Sequence, residues 1–322
     1  MRHAYPGAMR ALLVVNPKAT TFSSRVRDVL AHALASETRL ELVETKARAH
    51  AVELAAAACA DGVDVVVALG GDGTVNEVVN GLMSTGAAQR PALAVVPGGS
   101  ANVFARALGF PDDPVEATGQ LLDALTESRR REISLGLAEY GVEGGERTSR
   151  WFTFCAGFGI DAEVVRAVER KRARGKKATP ALYVRTGVSH FFTSRDRKDV
   201  PMLLHAGGAE PQRLGLALVC NSNPWTYLGT RPVQPCPTAS FDLGLDVFGL
   251  TELPTVATLR HLRQILSPRP RPRGRRVVRA HDLADFTLTA GQPLAFQVDG
   301  DDLGDADVVR FTAAPRALSV VV

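Results

Sequence analysis

Short apolar runs recur through the first 130 positions, each followed by a polar or glycine-rich break and then by a helical pattern. Ala11–Val15, Leu40–Glu44, Val65–Leu69 and Ala92–Val96 predict strands, and the unbroken apolar ones are of the kind buried on both faces of a parallel sheet. The segments between them carry helical spacing. A helix from about Ser24 places Val26, Val29, Leu30, Ala33 and Leu34 on one face, and Ala47–Ala60 is alanine-rich and stopped by Asp61-Gly62. Thr74-x-x-Glu77 predicts a capping box opening a third helix. Ser100 is placed as the N-cap of a helix running to Leu108 and closed by Gly109, and Pro114–Thr126 predicts a fifth. Strands alternating with helices predict an α/β domain built on a doubly wound parallel sheet, over residues 10–131.

Beyond Arg131 the pattern shortens. Trp151–Cys155, Pro201–His205, Leu214–Cys220, Asp246–Leu250, Phe286–Thr289, Leu294–Val298 and Val308–Thr312 are short alternating or apolar runs separated by turn residues. They predict a second domain over residues 132–313, a predominantly antiparallel β-sandwich. Helical patterns at Asp161–Arg174 and Pro254–Leu266 interrupt it, and Pro268, Pro270 and Pro272 force an extended exposed loop after the latter. Ser319–Val322 reads as a last strand, with residues 314–322 returning to the first domain.

Composition adds three things. No apolar run reaches the length of about 18 residues that a membrane-spanning helix needs, and the N-terminus lacks the apolar core of a signal peptide. Cys59, Cys155, Cys220 and Cys236 are far apart and the histidines are scattered, which predicts reduced, packed thiols and neither a zinc site nor a disulfide framework. The net charge of +4 is concentrated. Arg166–Lys177 holds seven basic residues and one acid, Arg260–Arg279 holds eight basic residues and no acid, and the remainder is net acidic. Such patches are either solvated surface or contacts for anionic lipid headgroups. Nucleic acid ranks lower, because no aromatic residues are interleaved with the arginine–proline run.

Ligands of doubly wound sheets bind at the carboxyl ends of the strands. Asn16, Thr45, Gly71–Thr74 and Gly98–Ser100 all fall there, although each has an ordinary role available as a turn, strand end or cap. The stretch VVVALGGDGTVNEVVNG, Val65–Gly81, runs strand, glycine turn, helix, an arrangement whose amides and helix N-terminus favour phosphate. Asp72 within that turn would repel a phosphate unless a metal or a transferable proton is involved.

The literal GGDGT, extended by Asn76-Glu77-Val78-Val79-Asn80-Gly81, resembles the nucleotide site of the diacylglycerol kinase, sphingosine kinase and NAD kinase superfamily, and its bacterial diacylglycerol kinase-like lipid kinases in particular. Asn16-Pro17, Pro97–Arg106, Ala156–Asp161, Asp242–Val247 and Val298–Asp301 resemble further motifs of that family in the same order. The resemblance implies ATP and Mg²⁺ as cofactors, with Asn16, Pro17, Lys18, Ala19, Thr20, Thr45, Gly71, Asp72, Gly73, Thr74, Asn76, Glu77, Gly98, Gly99, Ser100 and Asn102 at the nucleotide. It implies Asp301 as general base, with Asp72 as rival base or as the group on the nucleotide–Mg²⁺ side. A second metal position is implied at Asp242 with the carbonyls of Ala239 and Gly244. Asp161 either meets the polar head of the lipid or caps the helix that follows. The implied reaction transfers phosphate to diacylglycerol or a related lipid alcohol, in a cytoplasmic protein peripheral to the inner membrane face, with the basic patches and His190-Phe191-Phe192 as contact candidates and a homodimer possible through a free β edge. The alternatives are a kinase of a soluble acceptor such as NAD, and a nucleotide-binding regulator without turnover. The sequence departs from the family at Ala19-Thr20 in place of Ser-Gly, at Val103 in place of Asp, in the DLGLD spacing, and at Asp301 in place of Glu.

Overall fold

A computed structural model describes residues 9–17, 24–86, 89–174 and 202–322, together with Leu182, Arg185–Gly187 and Ser189. The chain divides into two units, the first comprising the residues up to Ile133 and Arg316–Val322, the second Ser134–Pro315.

In the first unit β1 (Arg10–Val15), β2 (Arg39–Glu44), β3 (Val65–Gly70) and β4 (Ala92–Pro97) form a parallel sheet in the order β2-β1-β3-β4. The central strands β3 and β4 are buried at every position, which their unbroken Val/Leu/Ala runs allow, whereas β2 lies at the edge and is largely exposed. Helices α1 (Ser24–Glu37), α2 (His50–Ala60), α3 (Asp72–Ser84), α4 (Val103–Ala107) and α5 (Pro114–Thr126) connect the strands, with α2 packed on α3 and α1 on α5. Gly81 makes the α2–α3 approach possible, since a Cβ there would lie 2.3 Å from the Val52 carbonyl oxygen. The order reverses at β1, which has β2 on one side and β3 on the other, so the sheet has a switch point between β1 and β3. Register aligns Val15 with Leu69 and Gly70 with Pro97, which brings the turns after β1, β3 and β4 to one edge.

Three local expectations are corrected. Leu30 and Leu34 of α1 are buried but Val29 is 60% exposed, because the packed stripe follows i, i+4 and is narrower than the apolar pattern. The Thr74–Glu77 capping box does not form: α3 starts two residues earlier, with Gly71 as N-cap, and both side chains bond elsewhere. Ser100 is not an N-cap, because α4 begins at Val103 after Asn102.

Among the described residues of the second unit, the strand registers are antiparallel. β5 (Arg130–Gly141) enters it, followed by β6 (Thr148–Phe152), β7 (Cys155–Phe158), α6 (Ile160–Ala173), β8 (Met202–Ala206), β9 (Gln212–Leu214), β10 (Leu216–Cys220), β11 (Thr226–Leu228), β12 (Arg231–Val233), β13 (Leu245–Leu250), α7 (Thr255–Ile265), β14 (Val277–Leu283), β15 (Asp285–Val298) and β16 (Asp301–Val321). The path β14-β13-β10-β7-β15 carries most of the pairing, and β15 pairs with β8 along its first half and with β7 along its second. Phe286–Thr289 and Leu294–Val298 are thus one strand, with a register shift between them. Likewise Val308–Thr312 lies within the long β16, whose Val320 pairs in parallel with Leu93 of β4. The core is aromatic: Phe152, Phe158, Phe286, Phe296 and Phe311 are buried together, with Phe158 edge-on to Phe296 at 6.3 Å and Phe152 edge-on to Phe311 at 6.1 Å. Among the described residues no helix is long and apolar enough to cross a membrane. The four cysteines are free thiols, three of them buried.

Candidate functional site

The carboxyl edge of the parallel sheet carries two glycine turns that touch. Gly98 N–H donates to the Gly70 carbonyl at 2.8 Å, which sets the turn after β4 beside the turn after β3. A Cβ on Gly99 would lie 2.6 Å from Gly71 Cα, and one on Gly71 would lie 3.1 Å from Gly99 Cα, so each glycine is required by the backbone of the other. Such a backbone-to-backbone approach leaves amides, rather than side chains, lining the edge.

Three side chains hold the turns in shape. Asn16, at the end of β1, donates through Nδ2 to Thr74 Oγ1 at 3.1 Å, and its own N–H bonds Leu69 O at 3.1 Å. Thr74 is buried in the space left by Gly70, where a Cβ would stand 2.7 Å from its Oγ1. Asn102 adopts the left-handed conformation, φ 49°, which asparagine tolerates. Its Oδ1 accepts from Gly99 N–H at 2.8 Å, while its Nδ2 donates to Gly99 O at 3.0 Å and Asp112 Oδ1 at 2.8 Å. Sequence reasoning missed Asp112, which sits ten residues away with no motif around it.

Asp72 is the first residue of α3, where the helix end favours negative charge. Its Oδ1 accepts from Phe104 N–H at 3.1 Å, stitching the start of α3 to the start of α4. Gly73 and Thr74 complete the opening turn of α3. The remaining expected nucleotide residues distribute unevenly. Thr45 bonds Val15 O through its N–H at 2.8 Å, at the same edge. Gly98 is buried, Ser100 exposed, and Pro17 exposed beside Asn16. Asn76 is fully buried and its Oδ1 accepts from Asn80 Nδ2 at 3.1 Å. Glu77 accepts from Ala49 N–H at 2.9 Å and so ties α3 to the start of α2. Lys18, Ala19, Thr20 and His190-Phe191-Phe192 lie outside the described residues.

In the second unit the acidic turn between β15 and β16 divides its labour. Asp299 is buried, and its carboxylate accepts from Thr153 N–H at 2.7 Å, Thr153 Oγ1 at 2.8 Å, Phe154 N–H at 3.0 Å and Cys155 N–H at 3.0 Å. Asp302 accepts from Arg166 Nε at 2.9 Å, and Asp305 lies 2.7 Å from the same guanidinium, so Arg166 of the first basic segment is neutralised. The hydrogen bond that Arg166 donates to Asp302 is the main cause that pushes the guanidinium above its usual range. Asp301, the first residue of β16, has Arg150 at 3.9 Å, a long ion pair.

Asp161 is the second residue of α6, after Ile160, with Gly159 as the residue before the helix, and it makes no cap for that helix. Its carboxylate is turned inward: Oδ2 accepts from Gln297 Nε2 at 2.8 Å and fills the space where a Gly157 Cβ would stand 1.8 Å away. Burial pushes its pKa up to about 6, partly offset by the Gln297 hydrogen bond. Gln297 in turn accepts from Gly300 N–H at 3.0 Å, linking Asp161 to the acidic turn; nothing in the sequence marked Gln297.

Asp242 is exposed in the turn before β13, its Oδ2 at 3.4 Å from Ser240 Oγ. Gly244 N–H donates to Asp282 Oδ1 at 2.7 Å, and Ala239 N–H to Cys236 O at 3.2 Å. Asp246 is instead buried and committed to Thr238 Oγ1, His281 Nδ1 and Asp282 N–H. Among the described residues no group of three or more His, Cys, Asp or Glu side chains is placed to hold a metal, so a cation here would depend on carbonyl, phosphate or water oxygens.

Comparison with known proteins agrees with this architecture. Residues 10–137 match the family described as diacylglycerol kinase catalytic domain. A YegS-like probable lipid kinase of Stenotrophomonas maltophilia is 28% identical over 292 residues, 90% of this chain and 88% of that one. A YegS-like probable lipid kinase of Chromohalobacter salexigens is 49% identical over 82 residues, a stretch that spans only 26% of each chain. A crystal structure of a diacylglycerol kinase from Bacillus anthracis superimposes with a TM-score of 0.71 over 98% of both chains at 20% identity, a likeness of fold. Over residues 10–137, the chain is similar to the diacylglycerol kinase catalytic-domain family.

Proposed function

We propose that this protein is an ATP-dependent lipid kinase that phosphorylates the hydroxyl of diacylglycerol or a related lipid alcohol. The observation that carries the reading is the mutual contact of the Gly71 and Gly99 turns at the carboxyl edge of the sheet, with Asp72 at the head of α3. Backbone amides brought together by paired glycines suit a polyphosphate, and phosphoryl transfer is catalysed mainly by positioning and charge neutralisation. Mg²⁺, held by Asp72 together with phosphate and water oxygens, would supply that neutralisation. A second cation position at Asp242, with the Ala239 and Gly244 carbonyls, would serve the second unit. Asn16, Asn102 and Thr74 set the shape of the turns.

Asp301 is the general base in this reading. The acceptor oxygen bonds to the γ-phosphorus, the bond to the β–γ bridging oxygen breaks, ADP leaves, and the acceptor proton passes to Asp301. Of the acids in its turn, Asp299 accepts four hydrogen bonds in a buried place and Asp302 is held by Arg166, while Asp301 opens β16 with the Arg150 guanidinium 3.9 Å away. The protein would act at the cytoplasmic face of a membrane, where its acceptor resides.

The test is transfer from γ-labelled ATP, with Mg²⁺, to mixed micelles holding diacylglycerol, monoacylglycerol, sphingosine or ceramide, with NAD as soluble control. Label in one lipid supports the reading. Label in NAD alone replaces it with a soluble-acceptor kinase, and ATP binding without transfer to any acceptor replaces it with a regulator.

A further inference from the structure

We propose that the outer face of α7, together with the arginine–proline loop after it, is a docking surface for an anionic lipid bilayer. The surface goes beyond the phosphotransfer reading and stands without it.

Helix α7 turns His261 and Ile265 inward. On its other side Val256, Leu259 and Leu262 are 82%, 55% and 43% exposed, an apolar stripe spaced three residues apart. Around that stripe Arg260, Arg263, Arg269, Arg271, Arg273, Arg275, Arg276 and Arg279 are all exposed. No acidic residue stands between Glu252 and Asp282 in the chain; Glu252 pairs with Arg276 at 2.9 Å.

The loop is built against the helix. Gln264 Oε1 accepts from Arg273 N–H at 3.1 Å while its Nε2 donates to Arg273 O at 3.3 Å, so one side chain pairs with the loop as a strand neighbour would. Gly274 packs on the His261 ring, where a Cβ would stand 2.9 Å from Cε1. Between helix and loop runs a groove of about 420 Å³, with Val256 and Ala257 among its apolar lining and Arg260, Arg275 and Arg276 as its cations. Guanidinium forks suit phosphate oxygens, and aliphatic side chains beside them suit the boundary between headgroups and acyl chains.

The same observations choose the partner. A nucleic acid would use the arginines but leave Val256, Leu259 and Leu262 in water, and no Phe, Trp or Tyr stands between Leu253 and His281 to stack on a base. A second copy of this surface would repel it. An anionic bilayer uses both the charge and the stripe.

The test is co-sedimentation of the full chain with vesicles of phosphatidylcholine alone and of phosphatidylcholine mixed with phosphatidylglycerol, without nucleotide or acceptor. The wild type should bind the mixed vesicles far more tightly than the neutral ones, and less tightly as salt rises. Reversing Arg269, Arg271 and Arg275 together to Glu should weaken binding roughly a hundredfold. Val256→Asp with Leu259→Asp should weaken it roughly tenfold and keep the salt dependence. Thermal unfolding checks that each variant folds, and if the arginine variant does not, the salt series on the wild type replaces it. Binding to neither vesicle, equal binding to both, indifference to salt, or salt-sensitive binding to duplex DNA without vesicle binding overturns the proposal. Because neither nucleotide nor acceptor is present, these outcomes are independent of whether phosphate is transferred.

Discussion

In the first unit the candidate site is drawn by backbone, and in the second by carboxylates. At the edge of the parallel sheet the decisive residues lack side chains: Gly71 and Gly99 meet Cα to Cα, and Asn16 and Asn102 serve to hold main chain in place. In the acidic turn three aspartates within four residues have three fates, one saturated by buried donors, one beside a distant arginine, one locked to Arg166. A backbone-built site is intolerant of any added atom but indifferent to protonation. A carboxylate-built site tolerates small changes of shape, yet its residues titrate and cannot be ranked by chemistry alone, since identical side chains carry different duties.

That contrast can be broken in four places. The largest effect is expected at Asp299. Replacing it by Ala leaves the Thr153, Phe154 and Cys155 N–H groups without their acceptor in a buried place. Denaturant unfolding should show a loss of about 4 kcal/mol. An added methyl at Gly99 meets backbone, which cannot swing aside, so Gly99→Ala should lose measurable ATP binding by calorimetry and cost about 1–3 kcal/mol in unfolding.

Asp161 supplies a pH-dependent test. Burial raises its carboxyl to about 6, so the folded protein holds that proton more tightly than the unfolded chain does. The stability from this group is therefore present below about pH 4 and is lost as pH rises through about 6. Asp161→Asn keeps an acceptor for Gln297 and cannot ionise. Relative to wild type it should gain about 3 kcal/mol between acid and neutral pH, and a constant difference across that range would show that the carboxylate is solvated in the folded state. The smallest change is Glu77→Ala, which removes the acceptor for Ala49 N–H and should cost about 1 kcal/mol with little effect on nucleotide affinity.

The backbone-built half was the more legible in the sequence. Glycine has few reasons to cluster at a strand end, so GGDG and PGGS announced their turns, and the apolar runs β3 and β4 announced the sheet. What escaped was where helices begin. Thr74 and Ser100 are good caps by type, but the side chain of Thr74 is claimed by Asn16, and Asn102 takes the left-handed position before α4. The second unit was legible as antiparallel β and less so in its continuity: Phe286–Thr289 and Leu294–Val298 read as two strands because the bulge that joins them leaves a polar gap in the pattern. Asp299 and Asp301 were indistinguishable by spacing, and only the Thr153–Cys155 amides, some 145 residues away in the chain, separate them. Gln297 and Asp112 had no local signal, since each acts through a partner in another element.

The division of the acidic turn is the central claim, and Asp301→Asn tests it most directly. Transfer from γ-labelled ATP to the preferred lipid would be measured beside ATP affinity and denaturant unfolding for the same variant. Unfolding should stay within about 1 kcal/mol of wild type and ATP binding should be unchanged, while transfer should fall by roughly 10²–10⁴-fold. Transfer at the wild-type rate by a folded Asp301→Asn protein would contradict that division and move the proton acceptor elsewhere.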